Sequence, residues 1–173
     1  DDLLKWEPGK RVDDDLNRAS VPLASRFQGK QINEQANPDA KIQALSNMNS
    51  KAKDHASVGG EEFKAYAFDY WQYLDSMVFW EGLVPSADVI DAAHRNGVPI
   101  YGTLFYNWSS SIKDQEHFAE TLKEDSEGSK TFPIARKLVD LAKYYGFDGY
   151  FINQETTGNL VEPLGPKLRD FLL

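Results

Sequence analysis

The stretch GYFINQE, residues 149–155, is apolar through Tyr150, Phe151 and Ile152 and then runs into Asn153-Gln154-Glu155 with no turn residue between. In an extended chain side chains alternate, so Phe151, Asn153 and Glu155 share one side and Tyr150, Ile152 and Gln154 the other. A carboxylic acid at the mouth of a site, partly desolvated beside neutral groups, holds its proton more tightly than in water and can donate it to a leaving oxygen. A carboxamide two residues earlier can hydrogen-bond a developing charge without competing for that proton. The same two residues can equally begin the next loop and cap the following helix, and spacing alone leaves both readings open.

Such a pair needs a strand to carry it and neighbours to hold that strand. The runs KIQALSNMN (41–49), SMVFW (76–80), VPIYGTLFYN (98–107) and GYFINQE are short and nearly continuous in apolar character, as parallel strands covered on both faces are. Helical punctuation separates them. Ser86 opens SADVIDAAHRNG, in which Val89, Ile90 and Ala93 share a face and Gly97 is placed to end the helix in the left-handed conformation. FPIARKLVDLAKYYG starts on Pro133, gathers Ile134, Leu138, Leu141 and Tyr145, and stops at Gly146. EEFKAYAFDYWQYL puts Phe63, Ala67, Tyr70, Trp71 and Leu74 on a stripe, a shorter helix surrounds Phe118 and Leu122, and a last one covers Leu164 to Leu172.

The order predicts an α/β chain of four βα units. Four units close either as an open doubly wound sheet or as half of a (β/α)₈ TIM barrel. SNMNSKAKDHASVGG lacks the glycine-rich phosphate turn of a doubly wound nucleotide binder. The expectation is therefore the N-terminal half of a (β/α)₈ barrel over residues 41–173, preceded by an irregular N-terminal extension over residues 1–40. At 173 residues the chain is shorter than the roughly 250 of a whole barrel, and a half barrel is expected to need its C-terminal half, from the same or a separate chain.

Function in such folds gathers at the carboxyl ends of the strands. Those ends read Asn47-Met48-Asn49, Trp80-Glu81-Gly82, Tyr106-Asn107-Trp108 and Asn153-Gln154-Glu155. Amides and acids beside aromatic rings suit a sugar, whose hydroxyls take planar polar partners and whose C–H faces stack on rings. Trp80, Glu81, Tyr106, Asn107 and Trp108 are accordingly candidate sugar contacts, with core packing the alternative for each ring taken alone.

Composition narrows the partners. The 41% hydrophobic and 13% aromatic content marks a folding chain. A formal net charge of −8 and the lack of a long Lys or Arg run argue against nucleic acid. There are no cysteines, hence no thiolate metal site, and His55, His94 and His117 have no ligand-like spacing and read as surface or packing residues. No apolar stretch approaches a membrane span, and DDLLKWEPGK lacks the blocks of a signal peptide, so a soluble chain trimmed at its ends is expected.

DGYFINQE resembles the D-G-x-D-x-D-x-E strand of chitinase-type glycosidases, in which an Asp two residues before the acid holds the substrate's 2-acetamido group. Asp148, Gly149 and Glu155 match, while Phe151 and Asn153 stand at the two intervening Asp positions. With that Asn for Asp, and with YFINQET, FDYWQYLDSMVFW and DAAHRNGVPIYGTLF, the chain resembles glycoside hydrolase family 85, the endo-β-N-acetylglucosaminidases, from about residue 20 to its end. The resemblance implies retaining, substrate-assisted hydrolysis of the β-1,4 bond between the two core GlcNAc residues of N-linked glycans, through an oxazoline intermediate. Carried over by position, Glu155 is the acid that protonates the leaving sugar and the base that then activates water, and Asn153 orients the acetamide. The family's chemistry implies an N-linked glycan or glycoprotein as partner, no metal and no organic cofactor. Its secreted and surface-attached bacterial members imply a place outside the cell. Two other classes stay in view: a catalytically silent carbohydrate-binding module, and a nucleotide-binding doubly wound domain.

Overall fold

The computed structural model of the chain describes residues 2–11, 14–29, 34–35, 37–46, 68–80 and 82–173. Strands β1 (Gln43–Ser46), β2 (Ser76–Phe79), β3 (Ile100–Tyr106) and β4 (Gly149–Gln154) form one sheet in the order β1-β2-β3-β4, every neighbouring pair parallel. When spatial order equals chain order, every crossover returns on the same side of the sheet. A doubly wound sheet reverses its order at a switch point and carries helices on both faces. The arrangement is instead four consecutive staves of a barrel wall, as expected.

The α-helices among the described residues are α1 (Asp2–Lys5), α2 (Ala87–Arg95), α3 (Ile112–Thr121), α4 (Pro133–Tyr145) and α5 (Gly165–Leu172). Both α3 and α4 lie in the crossover from β3 to β4. Strand residues of one parity face the helices: Met77, Phe79 and Ile100 pack with Val89, Ile90 and Ala93 of α2 and with Leu141 and Tyr145 of α4. Tyr106 joins Phe118, Leu122, Phe132, Leu138 and Phe171 in a second cluster. Burying a side chain such as Ile90 or Met77, both fully buried, contributes about 1.5–3 kcal/mol. The opposite parity, which includes Leu45 and Phe105, lies on the other face of the sheet, over which no helix packs among the described residues, and both residues are about half exposed.

The helix ends follow the punctuation. Pro133 occupies the first turn of α4, and Gly146 (φ 86°) ends it in the left-handed region with its N–H on the Ala142 carbonyl. Ser86 stands at the N-cap of α2, but its hydroxyl makes no cap bond. The expected helix over EEFKAYAFDYWQYL differs. Residues 61–67 lie outside the described residues, and Phe68 to Tyr70 are not helical; only Trp71–Tyr73 forms a 3₁₀ turn. Trp71 and Leu74 are buried as the stripe required, yet Tyr70 and Tyr73 are exposed. The chain has to straighten here to enter β2: the Asp75 N–H reaches the Ile42 carbonyl and the Asp75 carboxylate accepts from the Ile42 N–H at 2.9 Å.

The N-terminal segment packs over α2 and α4. Trp6 meets Tyr144 and Tyr145 at ring distances of 5.5 and 6.0 Å, and Lys137 Nζ donates to the Trp6 carbonyl at 2.8 Å. Asp91 of α2 accepts from the Ser20 N–H and hydroxyl, both at 2.8 Å, and from the Val21 N–H at 3.0 Å. His94, expected at the surface or in packing, is buried with both ring nitrogens on oxygen acceptors: Nδ1 on the Val21 carbonyl at 2.6 Å and Nε2 on Asp148 Oδ2 at 3.0 Å. It therefore ties the extension, α2 and the start of β4 together. His117 is exposed, and His55 lies outside the described residues.

Candidate active site

The register of the sheet sets which side chains meet above it. Phe105 pairs with Asn153 and Thr103 with Phe151, and paired residues of adjacent strands point to the same side. Tyr150 and Tyr106 have the other parity and pack among the helices, the Tyr150 hydroxyl donating to the Leu138 carbonyl at 3.1 Å. Phe151, Asn153 and Glu155 consequently line the open, inward face, in ascending order toward the strand's carboxyl end.

On that face the Asn153 amide Nδ2 donates to Glu155 Oε1 at 2.6 Å. Asn153 is half-buried and Glu155 exposed, so the acid stands at the rim with one oxygen committed to the amide below it. Trp80, at the end of β2, turns inward beside them: its ring lies 5.6 Å from Phe105, edge-on, and 6.2 Å from Phe151. The result is an aromatic wall of Trp80, Phe105 and Phe151 under and beside a carboxamide–carboxyl pair. Apolar rings can take the C–H face of a sugar while the polar pair takes its substituents.

The other expected contacts divide. Asn107 is exposed, and its backbone carbonyl accepts from the Thr156 hydroxyl at 2.9 Å. Trp108 is 86% exposed on the loop after β3, open to a ligand. Glu81 lies outside the described residues, as do Asn47 to Asn49. Tyr106 is the correction: it is buried in the helical layer, 5.0 Å from Phe118 in an edge-on contact, and turns away from the inward face. Among the described residues its hydroxyl has no hydrogen-bond partner, the adjacent Thr121 hydroxyl donating instead to the His117 carbonyl at 3.1 Å. Burial raises the Tyr106 phenol above its ordinary range, with the Thr121 hydroxyl acting weakly the other way. Phe105, not singled out from the sequence, occupies the place expected of Tyr106. The signal available was its parity with Thr103, but a strand apolar on both sides does not say which parity is inward.

Asp148, the other acid matched in DGYFINQE, serves the scaffold. Its Oδ2 accepts from the Ile100 N–H at 2.8 Å and from His94, at the opposite end of β4 from Glu155, roughly 20 Å away at about 3.3 Å per strand residue. Among the described residues no group of three or more His, Asp or Glu is arranged to hold a metal ion, and no helix is long and apolar enough to cross a membrane.

The family model described as Glycosyl hydrolase family 85 matches residues 46–173. The chain is similar to the crystal structure of the glycoside hydrolase domain Endo-D from Streptococcus pneumoniae R6, at 78% identity and a TM-score of 0.91, covering 98% of this chain and 26% of that one. It is also 33% identical over 175 residues to the cytosolic endo-beta-N-acetylglucosaminidase of Danio rerio, and 28% identical over 163 residues to that of Homo sapiens, covering 98% and 92% of this chain. The chain spans 23% and 20% of the length of those two relatives.

Proposed function

The chain belongs to glycosyl hydrolase family 85, and on that footing we propose that it supplies the acid/base-bearing part of an endo-β-N-acetylglucosaminidase acting between the two core GlcNAc residues of N-linked glycans. The observation that carries the reading is the 2.6 Å contact of Asn153 with Glu155 on the inward face of β4, beside the Trp80, Phe105 and Phe151 wall. The names of the relatives in zebrafish and human, and the family model, support the activity class.

In the proposed reaction Glu155 gives its proton to the glycosidic oxygen as the C–O bond breaks. The acetamido oxygen of the same sugar attacks its own anomeric carbon, closing a ring in the oxazolinium form whose nitrogen keeps its proton, so the enzyme provides no carboxylate nucleophile. Asn153 orients that acetamide and stabilises its imidate-like form, while its Nδ2 keeps the Glu155 carboxyl in place. Glu155, now a carboxylate, takes a proton from water, whose oxygen reopens the ring at the anomeric carbon with retained configuration. The carboxamide suits this role because it carries no charge to compete for the proton.

The partner in this reading is the remainder of the barrel, which would cover the inward face and pair the free edges of β1 and β4. A place outside the cell belongs to the same proposal; it rests on the resemblance to bacterial members, and fractionation of the producing cells tests it. The deciding experiment measures glycan release from an N-glycopeptide by this segment completed with the rest of the barrel, in native and Glu155→Gln forms. Cleavage between the two GlcNAc residues that disappears in the variant supports the reading. Binding of glycan without cleavage by the native form would leave only a carbohydrate-binding surface.

A further inference from the structure

Past the last paired strand residues, the ends of β3 and β4 remain laced together. The Glu155 N–H donates to the Tyr106 carbonyl at 3.0 Å, the Thr156 hydroxyl to the Asn107 carbonyl at 2.9 Å, and the Thr157 N–H to the Ser109 carbonyl at 2.9 Å. Only the middle bond uses a side chain, and that side chain is 2% exposed. Gln115 of α3, also buried, repeats the stitch further out: its Nε2 donates to the Ser110 carbonyl at 2.8 Å and its Oε1 accepts from the Leu160 N–H at 3.0 Å. Gly158 makes room for it, since a Cβ there would collide with the Gln115 amide. The loops after β3 and β4 thus share one hydrogen-bonded frame.

Within this frame Glu155 is fixed from both sides of its Cα, by its own N–H and by the hydroxyl of the next residue. Its carboxyl is exposed and is held from below by Asn153. A side chain so placed has little packing of its own to define its position, so its backbone has to. We propose that Thr156 is a positioning residue for the Asn153–Glu155 pair: its buried hydroxyl locks the end of β4 to the end of β3 and thereby sets where the Glu155 carboxyl stands. The inference rests on the reading of Glu155 as the acid and base, and adds to it a residue that touches neither sugar nor reacting atoms.

The test uses the complete barrel carrying this segment and an N-glycopeptide substrate, with kcat and KM measured well below the unfolding temperature of every variant. Thr156→Val keeps the size and deletes the hydroxyl; its kcat is expected to fall on the order of tenfold to a hundredfold, the cost of a displacement of about 1 Å, with KM changed less than about twofold. Thr156→Ser restores the hydroxyl and is expected to recover most of the lost kcat. A role in stability alone would move the unfolding temperature of the valine variant and leave its kcat at the native value, and that result overturns the proposal. Equal losses in the serine and valine variants overturn it as well, because the hydroxyl would then not be the feature that matters. Should the valine variant not fold, Thr156→Ala set against Thr156→Ser makes the same comparison. Glu155→Gln separates the two layers of the argument. If that variant cuts as well as the native barrel, the acid/base reading fails and the positioning role with it. If it is inactive while Thr156→Val is unaffected, the positioning role fails by itself.

Discussion

The Asn153 amide and the Glu155 carboxyl, two residues apart on one strand, share a 2.6 Å hydrogen bond on the inward face of the sheet. Strand alternation puts both on that face, and the amide commits one oxygen of the acid. The donor is neutral, so the arrangement steadies the acid without adding a charge to the site.

Asn153→Ala removes both the support for Glu155 and the group proposed to orient the acetamide. In the complete barrel kcat on an N-glycopeptide is expected to fall about 10²–10³-fold, the usual cost of deleting a donor that acts in the transition state, with the fold intact by circular dichroism. A variant within about threefold of native kcat would remove Asn153 from the mechanism, well below the effect such donors have.

Tyr106→Phe distinguishes a buried scaffold ring from a sugar contact. The hydroxyl is buried without a partner among the described residues, so its loss relieves a penalty of about 1–3 kcal/mol for an unsatisfied group and is expected to leave the unfolding midpoint the same or higher. Activity should be native. Trp108→Ala, at an exposed ring, should act the opposite way, raising KM without changing stability; a Tyr106→Phe variant with raised KM would return Tyr106 to the site.

Asp91 anchors the N-terminal segment to α2. Burial pushes its carboxyl up, but the Ser20 hydroxyl, the Val21 and Ser20 N–H groups and nearby Arg95 outweigh this and hold it below the ordinary 3.8. A carboxyl lowered on folding contributes stability above its unfolded value and loses it as pH falls through the folded one. Asp91→Ala is therefore expected to destabilise the chain by about 2 kcal/mol at neutral pH, as for hydrogen bonds to a charged group, and progressively less below pH 3.8. Denaturant melts at pH 7 and pH 3 check this; a difference independent of pH would refute it.

Residues 1–173 alone are expected to be inactive. Leu45 and Phe105 are about half exposed on the inward face, and the edges of β1 and β4 are unpaired in the four-stranded sheet. Glu155 stands exposed at the rim, open to water among the described residues. Incubating the purified segment with an N-glycopeptide, by itself and with the proposed second barrel half, checks this: turnover without the second half would contradict it.

The sequence alone determined the features that local chemistry controls. Pro133 and Gly146 bounded α4 because one fixes φ at a helix start and the other reaches the left-handed region at its end. The runs of apolar residues located all four strands, and alternation along GYFINQE put Asn153 and Glu155 on one side. The tertiary structure decided which side that is. β3 is apolar on both faces, so its pattern holds no sign of inside and outside; only the pairing of Phe105 with Asn153 turns Phe105 inward and sends Tyr106 into the helices. The aromatic run before β2 carried a helical period, but in its described part, Phe68 to Leu74, the need to lie straight beside Ile42 leaves one 3₁₀ turn. His94 showed nothing by itself because its partners, Val21 and Asp148, are 73 and 54 residues away in the chain. Periodicity is a property of neighbours along the chain, whereas the choice of face and the partners of a buried polar group are set by strand register and crossover, which only the folded sheet fixes.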